Sequence, residues 1–265
     1  MNKKITSFKK LDRIERKILL HKSKVEYADY AINHVMGCSH GCIYPCYAMA
    51  MAKRFGIIKD CGDWLKPKIV ENAMELLEKE IPKLKNKIKA VYLSFATDPF
   101  MVNQPEVEEL TLKIIERLNK DNIHCVVLTK GILPESLINK EKFGKDNEYG
   151  ITLVSLDEKF RQKFEPGAAP FQERLKALKY LHNQGLKTWV SMEPYPTPNM
   201  VEQDIDKILK SIKFVDKIIF GRINYNAETN KYLKVNGNYY KNLAEIVGIF
   251  CHKNNIQCII KDKTI

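Results

Sequence analysis

Three cysteines recur at intervals of four near the start of the chain, at Cys38, Cys42 and Cys46 in the segment "GCSHGCIYPCYA". Clustered thiols in a reducing compartment more often bind metal or perform chemistry than form disulfides. With His40, which lies between the first two cysteines, they would make a four-ligand zinc site. Alone, three thiolates would hold an iron–sulfur cluster and leave one iron open to a ligand. Structural zinc sites usually use two separated ligand pairs, which three thiolates in a nine-residue loop match poorly, but both kinds of metal site stay open.

The elements that must position this loop alternate between apolar strands and amphipathic helices. The predicted strands are 27–35, 90–96, 123–129, 150–156, 187–193 and 215–221, with a further one at 256–260. The predicted helices are 68–81, 106–120, a short one near 134–140, 170–185, 201–212 and 239–254. Near-continuous apolar strands alternating with helices indicate an α/β fold with a parallel sheet covered on both faces. A doubly wound sheet and a barrel both fit this pattern.

Polar segments follow each predicted strand, which points to function at one edge of the sheet. The cysteine loop follows the first strand, and the later strands end in "SFATDPF", "TKG", "SLDEKF", "SMEPYP" and "GRINYN". The carboxyl ends of parallel strands carry the active sites of barrels and doubly wound folds. This recurrence is stronger evidence for a site than any single motif.

Composition and charge limit the remaining classes. The 265 residues are 45% hydrophobic, and neither a signal peptide nor an apolar run long enough to span a bilayer is recognisable, so we expect one cytoplasmic domain without a membrane partner. The net charge is +12, and residues 1–25 hold nine basic residues against Asp12 and Glu15. We therefore predict a basic arm at 1–25 and a domain at 26–265. Only seven of the 44 basic residues are Arg, which weakens the case for nucleic-acid recognition.

The motifs together resemble the radical S-adenosylmethionine (SAM) superfamily, and within it the spore photoproduct lyase-like branch. The resemblance runs from about residue 31 to 226 and rests on "GCSHGC", "CYA", "TDP", "TK" and "FEPGAAPFQERLKAL". One feature departs from the family: the second and third cysteines are usually separated by two residues, whereas here Ile43, Tyr44 and Pro45 separate them. The resemblance implies a partial (β/α)6 TIM-like barrel with parallel strands.

The resemblance also implies roles for individual residues. Cys38, Cys42 and Cys46 would hold a [4Fe–4S] cluster, and its open iron would chelate SAM. The implied SAM contacts are Ser94, Thr97 and Asp98 to the amino group, Lys130 and Ser155 to the carboxylate, Glu193 to the ribose or substrate, and Tyr44 or Tyr47 against the adenine. Simpler structural roles compete: Asp98 would start a turn, and Ser155 would be a satisfied hydroxyl at a strand end. Glu165 and Arg174 fit a loop and a surface helix as well as they fit a site.

The implied activity is reductive cleavage of SAM to methionine and a 5′-deoxyadenosyl radical, which abstracts hydrogen from a substrate. The branch and the basic arm suggest a nucleic-acid lyase or modifying enzyme, whereas the excess of Lys over Arg suggests a small molecule or peptide. An electron donor such as flavodoxin or ferredoxin would be the protein partner. The alternative from a different class is a non-catalytic zinc- or RNA-binding module that uses the three cysteines.

Overall fold

A computed structural model describes residues 10–23, 28–94 and 96–265 of the chain. The strands are β1 (Asp12–Ile14), β2 (Leu20–Lys22), β3 (Tyr30–Ile32), β4 (Val35–Met36), β5 (Lys68–Val70), β6 (Ala90–Leu93), β7 (His124–Thr129), β8 (Glu148–Thr152), β9 (Lys187–Tyr195), β10 (Lys217–Arg222) and β11 (Gln257–Ile260). The α-helices are α1 (Tyr47–Arg54), α2 (Cys61–Trp64), α3 (Ala73–Leu84), α4 (Pro105–Asn119), α5 (Lys140–Phe143), α6 (Glu158–Phe164), α7 (Phe171–Asn183), α8 (Ile205–Ser211), α9 (Ala227–Leu233) and α10 (Tyr239–Lys253).

The main sheet is parallel from β3 to β11. Its strands lie in the order β11-β10-β9-β8-β7-β6-β3-β2, and only β2 runs antiparallel to its neighbour. In the described residues β2 and β11 form the two edges and do not pair, so the sheet is not closed. A mostly parallel, open sheet with helical crossovers confirms the predicted α/β partial barrel.

The two faces of the sheet are packed differently. Cys125 and Val127 of β7 belong to the main hydrophobic core, which also contains buried residues of α3, α4, α7 and α10. Val126, between them, points to the opposite face and packs in a smaller cluster around Trp189. A side chain at Gly150 would come within 2.4 Å of the Trp189 ring, so the glycine makes room for the indole. The helices therefore cover one face, and large side chains fill the other.

Most predicted elements are confirmed, but the helix predicted over 68–81 is wrong at its start. Lys68–Val70 forms β5, which lies between β1 and β4 in a separate three-stranded sheet, and the helix begins at Ala73. Ile69 fits an apolar helical pattern, yet it is buried between its partner strands. The predicted helix over 201–212 is shorter, at Ile205–Ser211, and the one near 134–140 is a 3₁₀ turn over Glu135–Ile138 followed by α5.

Part of the predicted basic arm contributes to this architecture. β1 and β2 lie within it, and β2 pairs with β3 at the edge of the main sheet. The backbone N–H of Leu19 donates to Glu80 at 2.9 Å, and Leu19 itself is fully buried. Residues 1–9 and 24–25 of the arm lie outside the described residues. Among the described helices, none combines the length and the apolar character needed to cross a bilayer.

Candidate functional site

The cysteine loop runs from β4 to α1 and is held from two sides. On one side the Cys38 N–H donates to the Trp64 carbonyl at 2.8 Å. Gly37 has a φ of +87°, and a Cβ there would lie 2.6 Å from the same carbonyl, so this close approach requires glycine. On the other side the Ile43 N–H donates to Phe164 O at 3.0 Å, and Gly167 N–H donates to His40 O at 2.9 Å. These two bonds flank Cys42 and attach the loop to the end of α6 and to the turn that follows it.

The three thiols of this loop are half-buried and lie near enough to one another to interact electrostatically. Burial, the charge of Asp98 and the neighbouring Cys42 raise the pKa of Cys38 well above its ordinary value. Burial likewise raises the pKa of Cys42 to about 12, although Lys130 opposes the shift. Bound iron would supply the positive charge that stabilises thiolates in such surroundings. Cys38 and Cys42 therefore favour the thiolate form only when a cationic group joins them.

The same donors do not gather around a single ion. Within residues 10–23, 28–94 and 96–265, no three His, Cys, Asp or Glu side chains are grouped to hold one metal ion. His40, the expected fourth zinc ligand, is buried, and both of its ring nitrogens contact other residues of the protein. Its Nδ1 lies 3.4 Å from Asp98 Oδ2, and its Nε2 accepts from the Val102 N–H at 3.5 Å. In a cluster each thiolate binds a different iron, so the cluster does not need donors that converge on one point.

Asp98 joins three loops at the strand ends. Its Oδ1 accepts from the Thr129 hydroxyl at 2.6 Å and from the Phe100 N–H at 2.9 Å, and its Oδ2 accepts from the Lys130 N–H at 2.8 Å. Burial alone would raise the pKa of Asp98, but His40 and these hydrogen bonds hold it below its ordinary value. The Asp98 carboxylate therefore stabilises a turn, which is the structural alternative to a SAM contact that the sequence suggests for this residue. Its contact with a SAM amino group stays a prediction.

Two hydroxyl groups beside the cysteines have no partner. The Oγ of Ser39, inside the loop, and the Oγ1 of Thr97, after β6, are buried and make no hydrogen bond with any described residue. Ser94 is better satisfied, because its Oγ lies 3.4 Å from His34 Nδ1. Buried hydroxyls without a protein partner need a ligand, an ion or a water molecule to satisfy them. Together with the three thiols they fit an iron–sulfur cluster with a small polar cofactor beside it.

A buried polar network lies next to Cys42. Tyr44 donates its hydroxyl to Glu165 Oε1, and Arg174 Nη2 donates to Glu165 Oε2 at 2.7 Å. Lys130 Nζ lies 3.9 Å from Glu165 Oε1 and 5.8 Å from the centre of the Tyr44 ring. Burial opposes ionisation of Glu165, but Lys130 and Arg174 outweigh it and hold the pKa below its ordinary value. Burial lowers the pKa of Lys130, yet Cys42 and Glu165 raise it overall. Both groups are therefore charged at neutral pH.

The remaining predicted contacts lie at the same edge but outside this network. Ser155 Oγ accepts from the Asp157 N–H at 3.0 Å, at the start of α6, which matches its simpler structural role. Glu193 lies over Gly221, where a Cβ would come within 2.9 Å of its side chain. Tyr47 begins α1 with 62% of its surface exposed, whereas Tyr44 is 3% exposed. The two tyrosines therefore have opposite surroundings.

The structure brings the cysteine loop together with Asp98, Lys130 and Glu165, which the strand-end pattern predicts only in part. The burial of Arg174 is not apparent in the sequence, because a single Arg at the start of an amphipathic helix is normally exposed. The linkage of His40 to Asp98 is also missed. Its one signal is that both residues lie in loops that follow the first two predicted strands.

Comparison with known proteins identifies relatives of this chain. Residues 32–212 match the family model of the radical SAM superfamily. The chain is 28% identical over 239 residues to the uncharacterized protein MJ0683 of Methanocaldococcus jannaschii, covering 89% of this chain and 85% of that protein. It is also 28% identical over 193 residues to the uncharacterized protein ORF301 of Acidianus two-tailed virus, covering 69% of this chain. That match spans 61% of the viral protein, which is less than two thirds of its length.

Two solved structures share the fold at low sequence identity. Spore photoproduct lyase, in complex with dinucleoside spore photoproduct, aligns with a TM-score of 0.68 at 15% identity, over 94% of this chain and 81% of that one. Streptococcus suis SuiB, bound to the precursor peptide SuiA, aligns with a TM-score of 0.55 at 14% identity, over 87% and 48%. The family match covers more than half of the chain and includes all three cysteines. The chain belongs to the radical SAM superfamily, the class of enzymes that uses a [4Fe–4S] cluster and S-adenosylmethionine.

Proposed function

We propose that this protein cleaves SAM reductively with a cluster held by Cys38, Cys42 and Cys46. The carrying observation is that three interacting thiols share one loop with the unpartnered hydroxyl of Ser39, inside the segment that matches the family. When bound, the cluster supplies the electron that breaks the sulfonium bond and releases methionine and a 5′-deoxyadenosyl radical. The protein supplies binding, orientation and exclusion of water.

The roles of individual side chains follow from their surroundings. Lys130 is charged, mostly buried and electrostatically close to Cys42, so it would pair with the SAM carboxylate. Thr97 has a free hydroxyl for the amino group, and Glu193 would reach the ribose or the substrate. Tyr47 is exposed, whereas Tyr44 is held by Glu165. Tyr47 is therefore the better candidate for contact with the adenine.

The substrate class that we propose is nucleic acid, with lyase or modification chemistry. The formal charge of +12 favours a polyanion, because cations that neutralise phosphates release counterions. A related fold is known in complex with a dinucleoside photoproduct, and another with a precursor peptide. The same positive charge suits an acidic electron donor of the flavodoxin or ferredoxin type.

Anaerobic reconstitution with iron and sulfide tests the proposed reaction. The purified protein should bind about four irons per chain, as a [4Fe–4S] cluster requires, and should form 5′-deoxyadenosine from SAM when a reductant is added. Cys46→Ala should lose both properties, whereas Cys61→Ala, which removes an exposed cysteine outside the motif, should keep them. Stoichiometric zinc without SAM cleavage would instead support the zinc-binding alternative. An intact cluster in Cys46→Ala would show that the third ligand is assigned wrongly.

A further inference from the structure

The additional residue between the second and third cysteines has a structural consequence at Tyr44. Its side chain is 3% exposed and packs with Val154 and Phe160. Its ring stacks on Phe164, with 6.3 Å between ring centroids and 19° between planes. An aromatic side chain with this much apolar contact and a bonded hydroxyl is fixed in place. The ring is therefore fixed against α6.

The hydroxyl of Tyr44 donates to the Glu165 carboxylate, which is itself fixed by other contacts. Glu165 is 2% exposed and receives Tyr44 on one oxygen and Arg174 on the other. The guanidinium of Arg174 also donates to Ala169 O at 2.8 Å and to Thr152 O at 2.9 Å. Thr152 is the last residue of β8. The bond from Tyr44 therefore connects the cysteine loop to the end of a central strand.

The backbone around Cys42 follows the same path. The hydrogen bonds of Ile43 to Phe164 and of Gly167 to His40 lie on either side of this cysteine. Gly167 approaches so closely that a Cβ would lie 2.3 Å from Ser39 O. Neither Cys38 nor Cys46 has a described hydrogen bond to this segment. Cys42 is thus the ligand whose position depends on residues 164–167.

We propose that Tyr44 is a positioning residue that tethers Cys42, the middle cysteine of the motif, to the Glu165–Arg174 pair. In this arrangement the longer spacing between Cys42 and Cys46 does not leave Cys42 free to move. The additional residue is accommodated while Tyr44 and the two backbone bonds fix Cys42. The consequence for the shape of the cluster site rests on the proposed function, whereas the tether itself is a property of the protein alone.

Thiol alkylation of the cluster-free protein tests the tether directly. In Tyr44→Phe, the reaction of Cys42 with iodoacetamide, followed by mass spectrometry and normalised to exposed Cys61, should become about tenfold faster, as expected for loss of one hydrogen bond to a charged group. Tyr47→Phe, which removes an exposed hydroxyl, is the matched control and should leave the ratio unchanged. An unchanged ratio in folded Tyr44→Phe would overturn the proposal.

Glu165→Asp provides a second route if Tyr44→Phe fails to fold. This variant keeps the negative charge, which itself raises the pKa of Cys42, but draws the carboxylate back from the Tyr44 hydroxyl, so Cys42 should again react faster relative to Cys61. In the double variant Cys42 should react no faster than in the more reactive single variant, since both changes break one connection. Strictly additive effects would contradict the tether.

The reconstituted protein separates this inference from the proposed function. Tyr44→Phe keeps all three thiols, so it should still bind iron, but its electron paramagnetic resonance signal should broaden because Cys42 is less well fixed. If the wild-type protein binds no cluster, the proposed function fails while the alkylation result stands. If wild type and Tyr44→Phe give identical spectra and identical alkylation ratios, only the tether fails.

Discussion

At the scale of single residues, the site depends on buried pairs of oppositely charged side chains. Glu165 and Arg174 are both about 2% exposed, and every polar group of this Arg finds an acceptor. A buried pair of this kind contributes little relative to apolar residues, but removal of one partner leaves an isolated buried charge. The sequence predicts Glu165 and Arg174 only as loop and surface residues or as site residues, because burial of a charge depends on a partner distant in the chain.

Arg174→Met should destabilise the protein by up to about 3–5 kcal/mol, because the buried Glu165 carboxylate would lose its hydrogen-bonded counter-charge and keep only Lys130, whose Nζ lies 3.9 Å away. Lys113→Met is the matched control, since Lys113 pairs with Glu109 at 2.6 Å where both side chains are more than half exposed. This surface change should cost less than about 1 kcal/mol. Denaturant unfolding of both variants measures the difference. Equal losses would contradict the buried ion pair.

His34 gives a prediction for the dependence of stability on pH. The ring is fully buried, with Nε2 2.7 Å from Thr111 Oγ1, and burial lowers its pKa from 6.5 to about 3. Below pH 6.5 His34 binds a proton in the unfolded chain but not in the folded protein. The free energy of unfolding therefore falls as the pH is lowered from 6.5 toward 3. The slope for one such group approaches about 1.4 kcal/mol per pH unit.

His34→Gln should flatten this dependence between pH 6.5 and 5, where carboxylates whose pKa is held low do not yet titrate. Urea unfolding across that interval is the measurement. If the slope of His34→Gln equals that of the wild-type protein, His34 does not account for the acid sensitivity.

At the scale of elements, the strands and their carboxyl ends are predictable because their apolar runs are nearly continuous. β6, β7, β9 and β10 all begin within two residues of the predicted starts. The error at β5 arose because Ile69 and the residues of α3 share one apolar periodicity, and periodicity does not show where a strand partner lies. The contact of the 164–167 segment with the cysteine loop joins residues more than 100 positions apart, so no local pattern could predict it.

Gly167 tests whether that contact is as close as described. Gly167→Ala would place a Cβ 2.3 Å from the backbone oxygen of Ser39, so the two segments must separate, at a cost of about 1–3 kcal/mol. Gly248→Ala in α10 is the control: nothing lies within 4 Å of its added Cβ, and helix propensity should stabilise the protein by up to about 1 kcal/mol. Thermal unfolding should therefore move in opposite directions. A neutral Gly167→Ala would contradict the close approach.

At the scale of the whole molecule, charge is the property that bears on the proposed substrate. Residues 10–23 of the basic segment include β1 and β2. Arg13 in β1 forms a salt bridge with Glu106. Residues 1–9 carry three cationic side chains, Lys3, Lys4 and Lys9. A deletion that tests the arm should therefore end at residue 9 and leave β1 in place.

Nucleic-acid binding should weaken steeply as salt is raised. Removal of residues 1–9 should reduce the slope of log K against log salt by up to about 3, because each phosphate that a cation neutralises adds about 0.9 to that slope. Fluorescence anisotropy with a labelled DNA duplex measures both proteins. A shallow slope that does not change on deletion would remove the case for a polyanionic substrate and favour a peptide or small molecule.

The central claim is that three cysteines hold a cluster with one iron open to SAM. Electron paramagnetic resonance of the anaerobically reconstituted, reduced protein, recorded with and without SAM, tests this most directly. We predict a [4Fe–4S] signal whose g values change when SAM is added, because SAM binds the iron that no cysteine occupies. A signal that is identical with and without saturating SAM would contradict the account.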